Sequence, residues 1–263
     1  MVFLICFLVF MLGAAVFSFL NVVIYRLPRG MNYISGRSLC TSCGKKLKSY
    51  HMVPVFSWFL LGGKCAYCKA KISFRYAFME LLGGFSALFC LWYFTGLRLT
   101  AFGDHKAIIG AVLYFAVICV LTCTAFIDAD TMEIPNRFPL VLALLGIASA
   151  FCFHNMGIAE RVIGVFCVSL PMFLMCLVID GAFGGGDIKL MAAAGIMLGW
   201  KLSLVSLFFA LISGGAYAVY LLVSGKKERK EHFAFGPFLC LGIVTGLFYG
   251  AQILEWYLAL FMF

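Results

Sequence analysis

The chain has 263 residues, of which 64% are hydrophobic and only 12% charged, against about 45–50% and about 25% in an ordinary soluble domain. That excludes a water-soluble globule, a disordered chain and a fibrous repeat; 29 Phe and 27 Gly at this apolar content point to a bundle of membrane-spanning helices. The net charge of +9 is no nucleic-acid signal, because ten of the 20 Lys and Arg fall in one polar insert, residues 26–75, as in loops that stay in the cytoplasm.

The first apolar segment, about 2–25, lacks a basic n-region and a small-residue cleavage site, and is read as a mature helix. The insert follows. It carries Cys40-Thr-Ser-Cys43 and Cys65-Ala-Tyr-Cys68, two knuckles whose four thiolates suit one structural Zn²⁺ with no open position. An insert this small has little core of its own, so metal binding would supply folding energy. The alternative is a redox dithiol pair. Six lysines around the site, from Lys45 to Lys71, form a solvated face that can rest on anionic lipid. The other eight cysteines sit singly in apolar runs, where cysteine acts as a small buried hydrophobe.

Segments at about 77–97 and 107–127 come next, the former with Glu80 as a structural interface group. The latter runs into Asp128-Ala-Asp130-Thr-Met-Glu133-Ile-Pro135-Asn136. Acids at helix ends in a membrane protein are functional suspects. Asp128 and Asp130 differ by about 200° on a helix, so only one can face the bundle, and spacing does not choose between them. After segments 138–153, which is only about 24 Å long, and 160–180, Asp180 precedes Phe183-Gly184-Gly185-Gly186-Asp187-Ile-Lys189. The glycines let a substrate strand approach the backbone closely. Two carboxylates sharing a proton would provide the general base and general acid of an aspartyl protease. The bland reading makes Asp187 a helix N-cap.

The last segments are 188–200, 201–223 and 237–262, split at Gly199, Trp200 and Lys201. That split leaves 16 of the 20 Lys and Arg on one face, with Arg98, Lys106, Arg161 and Lys201 opposite. The N-terminus is then outside, and both acid motifs face the cytoplasm. The expected fold is an all-α polytopic membrane protein of about eight transmembrane helices, with a small cytoplasmic zinc-binding insert between the first two. The domains are a first helix (1–25), the insert (26–76) and a transmembrane peptidase domain (77–263).

Four motifs resemble those of the bacterial type IV prepilin peptidases, aspartyl proteases of the GxGD type. They are Ser18-Phe-Leu-Asn21-Val-Val-Ile-Tyr-Arg26-Leu-Pro28, Met52-Val-Pro54-Val-Phe-Ser57-Trp58, Asp128 to Asn136, and Gly184 to Leu190. The chain departs at Phe17, where the family has glycine. The resemblance implies that Asp128 and Asp187 are the catalytic pair, with Asp130 secondary and Gly184, Gly185, Gly186 and Lys189 forming the substrate loop. It also implies zinc at Cys40, Cys43, Cys65 and Cys68, and cleavage after a glycine of a short basic leader from type IV prepilins or pseudopilins of pili or protein secretion. The cut would fall at the inner membrane's cytoplasmic face, among lipids and without nucleic acid. The new N-terminus would then be methylated from S-adenosylmethionine. No glycine-rich loop with a following acid marks a soluble-type methyltransferase site, and His51 is a surface residue or an acid–base group. The alternatives are a proton-coupled transporter using the same two Asp residues and a non-catalytic membrane scaffold.

Overall fold

The computed structural model describes residues 2–34, 40, 42–48, 52–97, 104–153, 156–179, 181–224 and 233–261. His51, Arg98, Asp180 and the basic run Lys226, Lys227, Arg229 and Lys230 lie outside these. The described residues are helical, with no extended strand: α1 (Val2–Arg26), a short α2 (Phe56–Leu60), α3 (Phe74–Thr95), α4 (His105–Thr131), α5 (Arg137–Cys152), α6 (Ile158–Val178), α7 (Gly185–Val223) and α8 (Gly236–Phe261). Six of them (α1, α3, α4, α6, α7 and α8) are long and apolar enough to cross a membrane, and α5 is a shorter apolar helix. At 39 residues, α7 would run about 58 Å, twice the hydrocarbon core. It breaks at Gly199, with φ 67° and ψ 179°, a backbone region open only to glycine. Two limbs result, and the apolar segments among the described residues number eight.

The chain forms two compact units, Met1–Cys119 and Val120–Phe263, the boundary falling within α4. In the first, α1 packs on α3 at a bare seam. Gly83 and Gly84 have no side chain where Phe17 and Phe10 lie, and a Cβ on Gly13 would meet Ala87 at 2.6 Å. Phe17 is fully buried there, its ring 6.0 Å from that of Phe115. The departure from the family's glycine is thus absorbed by a glycine on the facing helix.

The insert of this unit folds around its cysteines. Both knuckles repeat one pattern: Gly44 N–H donates to the Cys40 carbonyl and Cys40 N–H to that of Lys45, as Lys69 does to Cys65 and Cys65 to Ala70. Trp58 supplies the small core, with its ring against Phe74 and its Nε1–H donating to the Ile72 carbonyl at 3.4 Å.

In the second unit α7 packs against α5, α6 and α8. Arg161, at the start of α6, is buried and donates to Ser149 Oγ and to the carbonyls of Ile196 and Phe153. A guanidinium is tolerated here because carbonyls at the ends of α5 and of the first limb of α7 take its hydrogens.

Candidate active site

α4 ends because Met132 turns to φ 57° while its N–H still donates to the Asp128 carbonyl at 2.7 Å. The three acids of this stretch separate by helix geometry. Asp128 is only 5% exposed, whereas Asp130 and Glu133 are exposed. Beyond the turn, Ile134 packs directly against Gly186, where a Cβ would come within 2.7 Å. Lys189 Nζ donates to Asn136 Oδ1 at 2.8 Å. The two acid motifs, far apart in the chain, are therefore in contact where the first turn of α7 meets the turn after α4.

Gly184 caps α7, and Asp187 sits at its third position, reaching back to accept from the Gly184 N–H at 3.2 Å through Oδ2. That is half of a capping box, so capping accounts for one oxygen of this carboxylate. The other, Oδ1, is buried and has no hydrogen-bond partner among the described residues. Buried polar atoms are normally satisfied, and an exception asks for an explanation. Gly184 and Gly185 are exposed, leaving an open backbone edge beside Asp187.

Asp128 has a matching clamp. Its Oδ2 accepts from the N–H of Gly236, the first residue of α8 and 108 positions away, at 2.9 Å. A Cβ on Gly236 would lie 2.6 Å from that oxygen, so the residue must be glycine for the helix N-terminus to come this close. Asp128 and Asp187 stand within Coulombic reach of each other, and the buried thiol of Cys240 on α8 is within reach of both.

The two clamps are alike. Each is the N–H of a glycine directly after a phenylalanine, Phe183-Gly184 and Phe235-Gly236. The two rings pack on each other at 5.8 Å, inclined by 52°. Phe235 is also stacked into a cluster with Phe233, Phe238 and Tyr217. Gly236, Phe183, Phe235 and Cys240 were not singled out from the sequence. The one available signal was the Phe-Gly-Pro step at the head of the last apolar segment.

In the first unit the Sγ atoms of Cys40, Cys43, Cys65 and Cys68 all lie within 4.8 Å of one another, with Cys40 and Cys68 3.8 Å apart. Four thiolates on one Zn²⁺ at about 2.3 Å stand about 3.8 Å from each other, so the donors present fit the ion. The backbone N–H groups of Cys43 and Ser42 pull the Cys40 thiol down to about 6. At Cys68 the Ala70 N–H acts in the same direction but is outweighed by desolvation and the neighbouring sulfurs, which hold that thiol up at about 11. Loading a metal would therefore release protons.

The fold and this site define a polytopic helical membrane protein with a buried pair of carboxylates. Comparison with known proteins names the kind. The family model for the bacterial peptidase A24 N-terminal domain matches residues 11–94, and that of the type IV leader peptidase family matches residues 115–219. A prepilin leader peptidase/N-methyltransferase of Neisseria gonorrhoeae is 33% identical over 257 residues, 87% of this chain and 85% of the relative. Proteins of the same name from Bacillus subtilis (strain 168), 28% identical over 95% of this chain and 97% of the relative, and Legionella pneumophila, 29% over 94% and 92%, align just as fully. No solved structure matches the chain. The chain belongs to the type IV leader peptidase family, a family of aspartic peptidases, and is a multi-pass protein of the bacterial inner membrane. The transporter and scaffold alternatives are not favoured.

Proposed function

We propose that this protein removes the leader peptide of type IV prepilins or pseudopilins by aspartyl catalysis at Asp128 and Asp187, and then methylates the exposed amine from S-adenosylmethionine. One observation carries the peptidase reading: two buried carboxylates from distant parts of the chain lie within Coulombic reach of each other, one with an oxygen unpartnered among the described residues. A water between them loses a proton to the ionised carboxylate as it attacks the scissile carbonyl, while the protonated carboxyl donates to the carbonyl oxygen. The roles then exchange as the amine leaves. The clamps on the two Oδ2 atoms fix both carboxylates, and Asp187 keeps Oδ1 without a partner among the described residues for this work. Gly184 and Gly185 present bare backbone to the substrate strand, Gly186 lets Ile134 pack against the start of α7, and Lys189, tied to Asn136, holds the two acid motifs together. The excess of Lys and Arg in the insert supports a cytoplasm-facing site. The cysteine tetrad holds structural zinc, which when bound ties the two knuckles together.

The test is to incubate the purified protein with a prepilin, with and without S-adenosylmethionine, and to weigh the products. The expected product is the pilin cut after its leader glycine, one methyl heavier with the donor. Asp187→Asn should fold, since an amide oxygen still accepts from Gly184, yet lose about 10²–10⁴-fold in cleavage. Normal processing by that variant would end the proposal.

A further inference from the structure

The cysteine-bearing insert has an apolar side that none of its own residues covers. Within the single turn of α2, Phe56, Phe59 and Leu60 are all exposed, Leu60 by 86%. Apolar residues scattered singly over a surface need no explanation, but a cluster of this kind marks contact with a membrane or another protein. Depth and charge both select the membrane.

Depth follows from how α2 is pinned. The Val55 N–H donates to Glu80 of α3 at 2.7 Å, and Glu80 also accepts from the Ser18 hydroxyl of α1. Val55 takes φ 66° and ψ −59° there, while Phe56 N–H donates to the Pro54 carbonyl at 2.7 Å. This is a tight γ-turn of the rare, strained form, which a β-branched residue keeps only where its surroundings hold it. Glu80 stands about 9 Å along α3 from its start at Phe74, and Ser18 about 12 Å along α1 from its end at Arg26. Both helices are long and apolar enough to cross a membrane, so α2 begins beside them, at the depth of the interfacial layer, and not above them in water. It then continues onto an exposed stripe of α3. Trp58 sets its ring 5.6 Å from that of Phe74, which is 6.5 Å from that of Phe78. Phe74, Phe78, Phe85 and Trp92 recur on one helical face and are all exposed, the surface that a spanning helix turns to lipid. Phe59, its ring 5.3 Å from that of Trp58, and Leu60 prolong that stripe.

The charge agrees. Residues 26–75 hold ten Lys and Arg and not one Asp or Glu, and Glu80 is the first acid of the chain. A face built only for solvation mixes the two signs. Just beyond α2, Lys64 and Lys71 stand opposite each other across an antiparallel bridge, both exposed. Like charges set directly opposite repel, and an anionic headgroup beside them removes that cost. We propose that α2 is an interfacial anchor: Phe59 and Leu60 enter the near leaflet beside α3, and Lys64 and Lys71 engage the phosphates of anionic lipid. The anchor sets the height of the cysteine cluster over the bilayer, and it does so whatever reaction the carboxylates perform.

The test uses the full-length protein in nanodiscs of phosphatidylcholine, alone or mixed with phosphatidylglycerol. With p-benzoylphenylalanine in place of Leu60, irradiation should add a phospholipid to the peptide that carries it. Amide hydrogen exchange over residues 56–72 should slow when phosphatidylglycerol is present. Lys64→Gln combined with Lys71→Gln should speed that exchange about tenfold or more and leave zinc content and melting temperature unchanged. Phe59→Ser combined with Leu60→Ser should exchange fast in both lipid mixtures. Cross-links from position 60 confined to other peptides of this chain or to an added prepilin would overturn the anchor. So would exchange indifferent to phosphatidylglycerol, or wild-type exchange in the lysine variant.

Discussion

The cysteine cluster and the carboxylate pair are built on opposite plans. Each cysteine knuckle is made by a handful of neighbouring residues whose backbone closes on itself, and all four sulfurs turn towards one another. The carboxylates come from separate helices, are clamped by glycine N–H groups, and leave one buried oxygen without a partner among the described residues. A closed donor set has nothing left to offer a substrate, which suits the structural zinc site proposed above. A clamped but incompletely satisfied acid has capacity in reserve and little cost of reorganisation when charge develops beside it.

The largest effect should follow from opening the closed set. Cys65 is buried, and Cys65→Ser leaves three thiolates, which is incomplete for structural zinc. Because structural zinc contributes apparent binding energies of about 10–16 kcal/mol in small zinc modules, most of the insert's folding energy goes with it. Metal analysis should fall from one zinc per chain to none, and limited proteolysis should cut within residues 40–71. A metal-free insert that stays protected would break the contrast, because the cysteines would then be incidental to the fold.

The next effect concerns the clamp on Asp128. Gly236→Ala keeps the N–H but places a methyl where the carboxylate oxygen now sits. Either the carboxylate rotates or the start of α8 retreats, and a displacement near 1 Å costs about 10²-fold in rate. The loss should appear in kcat, with KM for a leader peptide little changed. Gly215→Ala, which has open space around it, is the control and should cleave normally. Equal kcat in wild type and Gly236→Ala would show that the clamp does not position the acid.

The two sites also differ in how far the sequence exposes them. Spacing alone assembled the cysteines, because a knuckle is a local object. The apolar segments matched the helices within a few residues, and the charge count located the break at Gly199 without any helix-breaking proline to mark it. Periodicity could not choose between Asp128 and Asp130, since a membrane helix apolar on all sides hides which face packs; the family motif supplied that preference. Gly236 stayed hidden for a stronger reason. Its partner is 108 residues away, and a glycine between Phe235 and Pro237 reads only as a helix start. Phe183 and Phe235 were lost among 29 Phe. Cys240 was correctly read as buried, but nothing local says that it is buried beside two acids.

The smallest effect separates a pair of clamps from a single device. If the ring contact between Phe183 and Phe235 braces Gly184 and Gly236 against each other, shortening either ring should loosen both carboxylates. Phe183→Ala and Phe235→Ala should then each lower kcat, and the double variant should lower it by less than the product of the two. An aromatic pair at this distance contributes about 0.5–1.5 kcal/mol beyond its buried area, so the non-additivity should be about 2-fold to 13-fold in kcat. Phe235 also touches Phe233 and Phe238, so its single substitution should cost more than that of Phe183. Strictly multiplicative losses would mean that each ring merely fills space beside its own glycine, and that the spacing of the acids is set by the helices alone.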